Sequence, residues 1–129
     1  MITLDTHAWV WWTIDPERLS ESQRQEIEEH EEDILGVSAM SCWEVAKLHE
    51  YGRLELPVGL REWFRLALEY PGISLLPLTP EIAVESTRLP GGFHRDPSDQ
   101  IIVATARVHE CPLVTSDRKI VNYPHVQTI

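Results

Sequence analysis

Short apolar runs alternate along this chain with segments of helical period, and that alternation predicts a fold before any chemistry is considered. Residues 1–5 are an apolar run ending in Asp5, and HAWVWWTI (7–14) reads as a buried helix. Ser20 with Gln23 makes a capping-box signature for a helix through about Asp33. That helix is polar nearly all round, so it is a solvated face or a partner-binding face. ILGVS (34–38) reads as a buried strand, followed by a helix around 42–51 closed by Gly52. Leu60, Trp63, Phe64, Ala67 and Leu68 fall at i, i+3, i+4, i+7 and i+8, a stripe that reads as core, with an oligomer interface as the alternative. ISLLPL (73–78) is a further strand, and Pro80 opens a helix running to about Arg88. PGGFHRDP is a flexible loop, residues 97–110 an apolar helix, PLVTS a strand and HVQTI (125–129) a last short strand.

Strands alternating with helices predict an α/β fold, a central parallel sheet with helices on both faces, organised as one domain over residues 1–129. In such sheets ligands bind beyond the carboxyl ends of the strands. No apolar stretch is long enough to cross a membrane, and MITLDTHAW carries no basic region of the kind that opens a secretory signal. Cys42 and Cys111 lie far apart with no C-x-x-C pair, which fits two small buried residues in a reduced cytoplasm.

Charge changes the picture only once its distribution is seen. The net charge of −10 argues against an anionic partner. Residues 15–33, however, hold nine acids against Arg18 and Arg24, a net of −7, and leave −3 for the rest of the chain. Five of the remaining acids are Asp5, Glu44, Asp96, Asp99 and Asp117; without them the remainder is +2. An anionic polymer is therefore admissible away from the acidic segment.

Those five acids stand at element junctions, where the topology gathers them into one carboxylate pocket. A cluster of carboxylates without supporting Cys or paired His points to a hard divalent cation, Mg2+ or Mn2+. Each acid has a plainer reading. Asp5 suits the N-cap of the following helix, which leaves its second oxygen free for a metal. Glu44 stands three residues after Ser41, a capping-box spacing. Asp96 before Pro97 reads as an N-cap with an auxiliary role at the metal, and Asp99, in the first helical turn, as the better ligand. Asp117 follows PLVTS as a turn residue, with Thr115 and Ser116 placed to position a water or ligand. His7, His94 and His109 share no spacing that links them to a nucleophile, so they read as surface or core histidines. Trp9, Trp11, Trp12, Trp43 and Trp63 read as core, with base stacking the less common use. PGG at 90–92 lacks the Lys-Ser/Thr pair of a phosphate loop.

Taken together, LDTHAWVWW (4–12), VSAMSCWEVAKLHEYGRLEL (37–56), HRDPSDQIIVATA (94–106) and LVTSDRKIVNYP (113–124) resemble the PIN domain, and within it the VapC-type ribonuclease toxins of toxin–antitoxin pairs. The resemblance runs through essentially the whole chain. It implies a three-layer α/β/α sandwich whose acidic pocket binds Mg2+ or Mn2+ and hydrolyses RNA. Asp5, Glu44, Asp99 and Asp117 match the acidic quartet, and Asp96 an additional acid of the branch that carries LDTH. It further implies a homodimer and a cognate VapB-like antitoxin that blocks the pocket. Ser98 and Gln100 depart from the usual aromatic residue and Arg.

The implied chemistry is metal-assisted attack of water on a phosphodiester. Lys47, Arg95, Arg107, Arg118 and Lys119 are the bases nearest the acids in sequence and are expected to grip the RNA, with Arg53 a weaker candidate. Two alternatives stay open: a phosphohydrolase using Asp5 as nucleophile, and a non-catalytic partner-binding module whose acids only cap helices.

Overall fold

Four of the short apolar runs pair as strands: β1 (Ile2–Leu4), β2 (Leu35–Ser38), β3 (Ile73–Leu76) and β4 (Leu113–Val114). The computed structural model describes residues 1–129, and every pair is parallel, in the order β3-β2-β1-β4. Seven helices connect and cover them: α1 (Thr6–Ile14), α2 (Glu21–Glu29), α3 (Ala39–Glu50), α4 (Leu60–Leu68), α5 (Pro80–Ser86), α6 (Pro97–Val108) and α7 (Arg118–Val121). The expected α/β sandwich is present. Strands β1, β2 and β4 are buried along their whole length, as strands covered on both faces must be.

The side-chain period of two divides the core. Register sets Leu4 beside Val37 and Val114, and Thr3 beside Gly36 and Leu113. Ile2, Leu4, Leu35, Val37 and Val114 therefore share one face, where they pack with Trp9 of α1, Ile27 of α2 and Trp63 and Ala67 of α4. Leu113, on the other face, joins Ile102, Val103 and Ala106 of α6 with Ile120 and Tyr123. On that face a Cβ added at Gly36 would lie 2.6 Å from Leu76 Cδ1 and 3.1 Å from Thr3 Cγ2, so the side chains of the neighbouring strands fill the space the glycine leaves. The centre of the larger cluster is Trp9, fully buried, its ring 4.8 Å from that of Trp63. Truncating such a residue costs about 3–5 kcal/mol.

Several boundaries differ from those read in the sequence. Helix α3 opens at Ala39, three residues early, because Ser38 caps it through the Met40 N–H at 3.1 Å. Its end follows expectation. Gly52, at φ +68°, donates to His49 O while Arg53 donates to Leu48 O at 2.8 Å, the paired bonds of a Schellman close. Helix α2 has the expected capping box but stops at Glu29. It is also not wholly solvated: Ile27 is buried, and buried Gln23 donates to the carbonyls of Thr115 and Ile129, both at 3.1 Å. The last strand shrinks to one bridge between Thr128 and Leu113. Helix α7 was not expected; Asp117 caps it.

Candidate active site

Strand order explains why distant acids meet. From β1 the chain winds one way to β2 and β3, then returns across β1 to β4, which makes the β1/β4 boundary the switch point of the sheet. Asp5 follows β1 and donates its N–H to Val114 O at 3.0 Å. Thr115 and Asp117 follow β4 alongside it. Helix α3 starts straight after β2 and carries Glu44 in its second turn, while the first turn of α6 carries Asp99. Asp5, Glu44, Asp96, Asp99 and Asp117 thus line one cavity of about 230 Å³, with Thr6, His7, His94 and Lys119 at its walls.

Three of the five are helix caps. Asp5 Oδ1 accepts from Ala8 N at 2.8 Å, Asp96 Oδ1 from Asp99 N at 3.0 Å, and Asp117 Oδ1 from Lys119 N at 2.8 Å. The second oxygen of Asp5, expected to be free, instead accepts the Thr115 hydroxyl. Thr115 Oγ1 in turn accepts the Asp117 N–H at 3.1 Å, so one buried threonine ties two of the acids together. From its place in the sequence Thr115 is expected to position a water or ligand, not the acids themselves.

Glu44 and Asp99 cap nothing. The Ser41–Glu44 capping box does not form, because Ser41 lies inside α3 and its Oγ accepts from Thr6 Oγ1 at 2.9 Å. Glu44 makes no hydrogen bond or ion pair and is left facing the cavity. Asp99 Oδ2 lies 3.1 Å from His94 Nε2, off-line for a hydrogen bond, so that contact is one of proximity alone. His94 was read as a surface or core residue; it is a wall of the site.

The electrostatics follow from this crowding. Burial pushes the Asp99 carboxyl up to about 7, and the charges of Asp96, Asp117, Glu44 and Asp5 push it the same way. Burial also raises Asp5, which is 6% exposed, against the Thr115 and Ala8 hydrogen bonds that favour its charged form. An all-oxygen donor set under mutual repulsion suits a hard divalent cation. No three of the groups stand together at direct-ligation spacing. A cation here would take one or two of the carboxylates directly and complete its shell with water.

The basic residues separate. Lys119 lines the acidic cavity. Lys47 and Arg53 line an adjoining groove that shares Glu44 and Asp96 with it. Arg95 and Arg118 are exposed beside Asp96 and Asp117 in sequence but form no part of the cavity wall. Arg107 does not belong to the site. It lies eight residues beyond Asp99 on α6, about 12 Å along the axis, and there it binds Glu85 Oε1 at 2.9 Å and the His125 carbonyl.

The PIN domain profile matches residues 2–126. The chain belongs to the PIN domain family. Across 128 residues it is 35% identical to Ribonuclease VapC22 of Mycobacterium tuberculosis, covering 99% of this chain and 95% of that one. VapBC2 from Rickettsia felis, solved with a promoter DNA fragment, superposes on this PIN domain with a TM-score of 0.72 at 15% identity, covering 100% and 98%. A toxin–antitoxin complex from Klebsiella pneumoniae gives 0.67 at 21% identity, covering 100% and 96%. At such identities these two structures speak for the fold alone, whose parallel α/β arrangement is what the alternation of elements predicts.

Proposed function

We propose that the chain is a Mg2+- or Mn2+-dependent endoribonuclease of the VapC type, the toxin of a toxin–antitoxin pair. The observation that carries this is that Glu44 and Asp99 point into a cavity shared with three further carboxylates and have no capping work to do. Likeness to Ribonuclease VapC22 supports the choice of RNA and of a toxin role. The likeness to VapBC and toxin–antitoxin complexes supports a VapB-like antitoxin as partner. The reading includes a homodimer working in the cytoplasm, and no helix is long and apolar enough to cross a membrane.

Asp5 and Asp99 would hold the cation, with Asp96 steadying the first turn of α6 from its cap. When bound, such an ion polarises the scissile phosphate and lowers the pKa of a coordinated water. Glu44 and Asp117 accept hydrogens from the attacking water and set its direction. The Thr115 hydroxyl favours the charged form of Asp5 against the larger opposing effect of burial, and aims the carboxylate. Lys119 at the cavity wall, with Lys47, Arg95 and Arg118 outside it, meets the phosphates on either side of the cut. A covalent role for Asp5 is disfavoured, because His7 stands two residues on, where such a nucleophile needs a second acid as its proton donor.

The test is cleavage of a mixed RNA pool with Mg2+ or Mn2+, comparing wild type with Asp5→Asn and with an EDTA control. Cleavage that disappears in both controls supports the reading. Cleavage that survives either one, or none at all from folded, antitoxin-free protein, removes it.

A further inference from the structure

Trp43 was read as core, yet it is 55% exposed, and Tyr51 beside it is 66% exposed. The two sit on one side of α3 with Met40, Lys47 and Leu48, at helical spacing, and form the floor of a groove of about 500 Å³. Neither ring stacks on another aromatic side chain. The Lys47 ammonium lies 6.0 Å from the Trp43 ring centre and 5.5 Å from that of Tyr51, and donates to Glu50 Oε1 at 3.1 Å in an exposed pair that a phosphate can displace. Arg53, at the far end, has no carboxylate within ion-pair distance and is exposed. At its near end the groove shares Glu44 and Asp96 with the acidic cavity, so the two are continuous.

We propose that this groove is a nucleobase-binding subsite, in which unpaired bases next to the scissile bond stack one on Trp43 and another, two helical turns on, on Tyr51, while Lys47 and Arg53 take the neighbouring phosphates. The inference rests on the ribonuclease reading for its substrate. Three observations on the groove choose the occupant. Flat aromatic faces flanked by cations are what single-stranded nucleic acid uses, since every base has a face to stack and every linkage a charge to neutralise. Both cations stand in a chain of net charge −10, on the side of the site away from the acidic 15–33 segment in sequence. The volume lies within the range of sites for small organic ligands, about 300–1,000 Å³. A base held there is fixed relative to the acids, because Trp43 precedes Glu44 on the same helix. The groove therefore selects single-stranded over duplex RNA, whose bases are not free to stack.

The experiment measures binding in EDTA, so that it does not depend on cleavage. A labelled single-stranded oligoribonucleotide of about twelve mixed nucleotides is titrated with wild type, Trp43→Ala, Trp43→Phe, Tyr51→Ala and Lys47→Ala. Both aromatic residues are exposed, and unchanged melting temperatures establish that the variants are folded. Trp43→Ala is expected to weaken binding about tenfold or more and Trp43→Phe much less. Lys47→Ala is expected to make the salt slope shallower by about 0.7. Equal affinity in wild type and Trp43→Ala overturns the subsite, even where Asp5→Asn abolishes cleavage and the ribonuclease reading stands. Retained aromatic-dependent binding in a protein that cleaves nothing supports the subsite while the ribonuclease reading falls. Self-association lost in Trp43→Ala with RNA affinity unchanged assigns the groove to a second copy of the chain and overturns the proposal.

Discussion

The two ends of α6 handle charge in opposite ways. At its C-terminal end Arg107 is neutralised by Glu85 at 2.9 Å, each side chain 29% exposed, and a further N–H reaches the His125 carbonyl. At its N-terminal end Asp99 faces four more carboxylates, and the nearest cationic candidate, His94, is not aligned to hydrogen-bond it. Paired charge of the first kind ties α6 to α5 and to the chain's last segment. Unpaired like charge of the second kind weakens the fold that contains it and persists where a ligand of opposite sign compensates. The difference separates Arg107, which serves the fold, from Asp99, to which the proposed function assigns the chemistry, although both lie on one helix.

The largest expected effect comes from removing a charge at the crowded end. Asp99→Asn should lower RNA cleavage about a thousandfold or more, equivalent to about 4 kcal/mol of barrier, measured with saturating metal. The same substitution should raise the stability of metal-free protein at pH 8, by up to about 4 kcal/mol, in denaturant melts. A drop in both activity and stability would place Asp99 with Arg107 as a structural residue. Thr115→Val comes next. It strips one hydrogen bond from Asp5 and another from the Asp117 N–H, and should cost about 1–3 kcal/mol of stability and reduce metal affinity.

Arg107→Ala should cost about 1–2 kcal/mol by leaving Glu85 unpaired, with no change in metal binding or in the salt slope for RNA. A shallower slope would return Arg107 to the substrate path. The pH trend in metal-free protein has the same origin as the Asp99→Asn gain and is read over the whole pH range. The folded-state value of Asp99, about 7, lies above the ordinary 3.8. The folded state therefore binds more protons than the unfolded one between those values, and stability falls as pH rises from about 4 to about 7. Asp5 adds a contribution of the same sign. Added Mg2+ or Mn2+ should flatten the trend, and thermal melts across pH with and without metal would follow it.

How much of this the sequence made legible depends on how local each signal is. ITL, ILGVS and PLVTS announce strands by apolar runs, and their parallel order follows from the helices between them. Asp96 before Pro97 announces a cap, and it is one. The start of α3 was placed too late because Ser41 and Glu44 have a capping-box spacing, whereas the cap is Ser38; the contact from Thr6 decides against Ser41, and no local pattern contains that contact. The apolar positions of α3 and α4 have the same period, yet Trp63 is 3% exposed and Trp43 55%, since periodicity tells which residues share a face and not what covers it. Arg107 looked close to Asp99 because sequence distance ignores the helical rise. Helix α7 and the vestigial last strand are too short for any periodic signal.

The most direct test of the contrast between the two ends of α6 is calorimetric titration of Mn2+ into metal-free wild type, Asp99→Asn and Arg107→Ala. Binding in wild type and Arg107→Ala, weakened at least tenfold in Asp99→Asn, is the predicted result. Heats that are absent from wild type, or equal in all three proteins, would contradict the claim that the crowded carboxylates are a cation site.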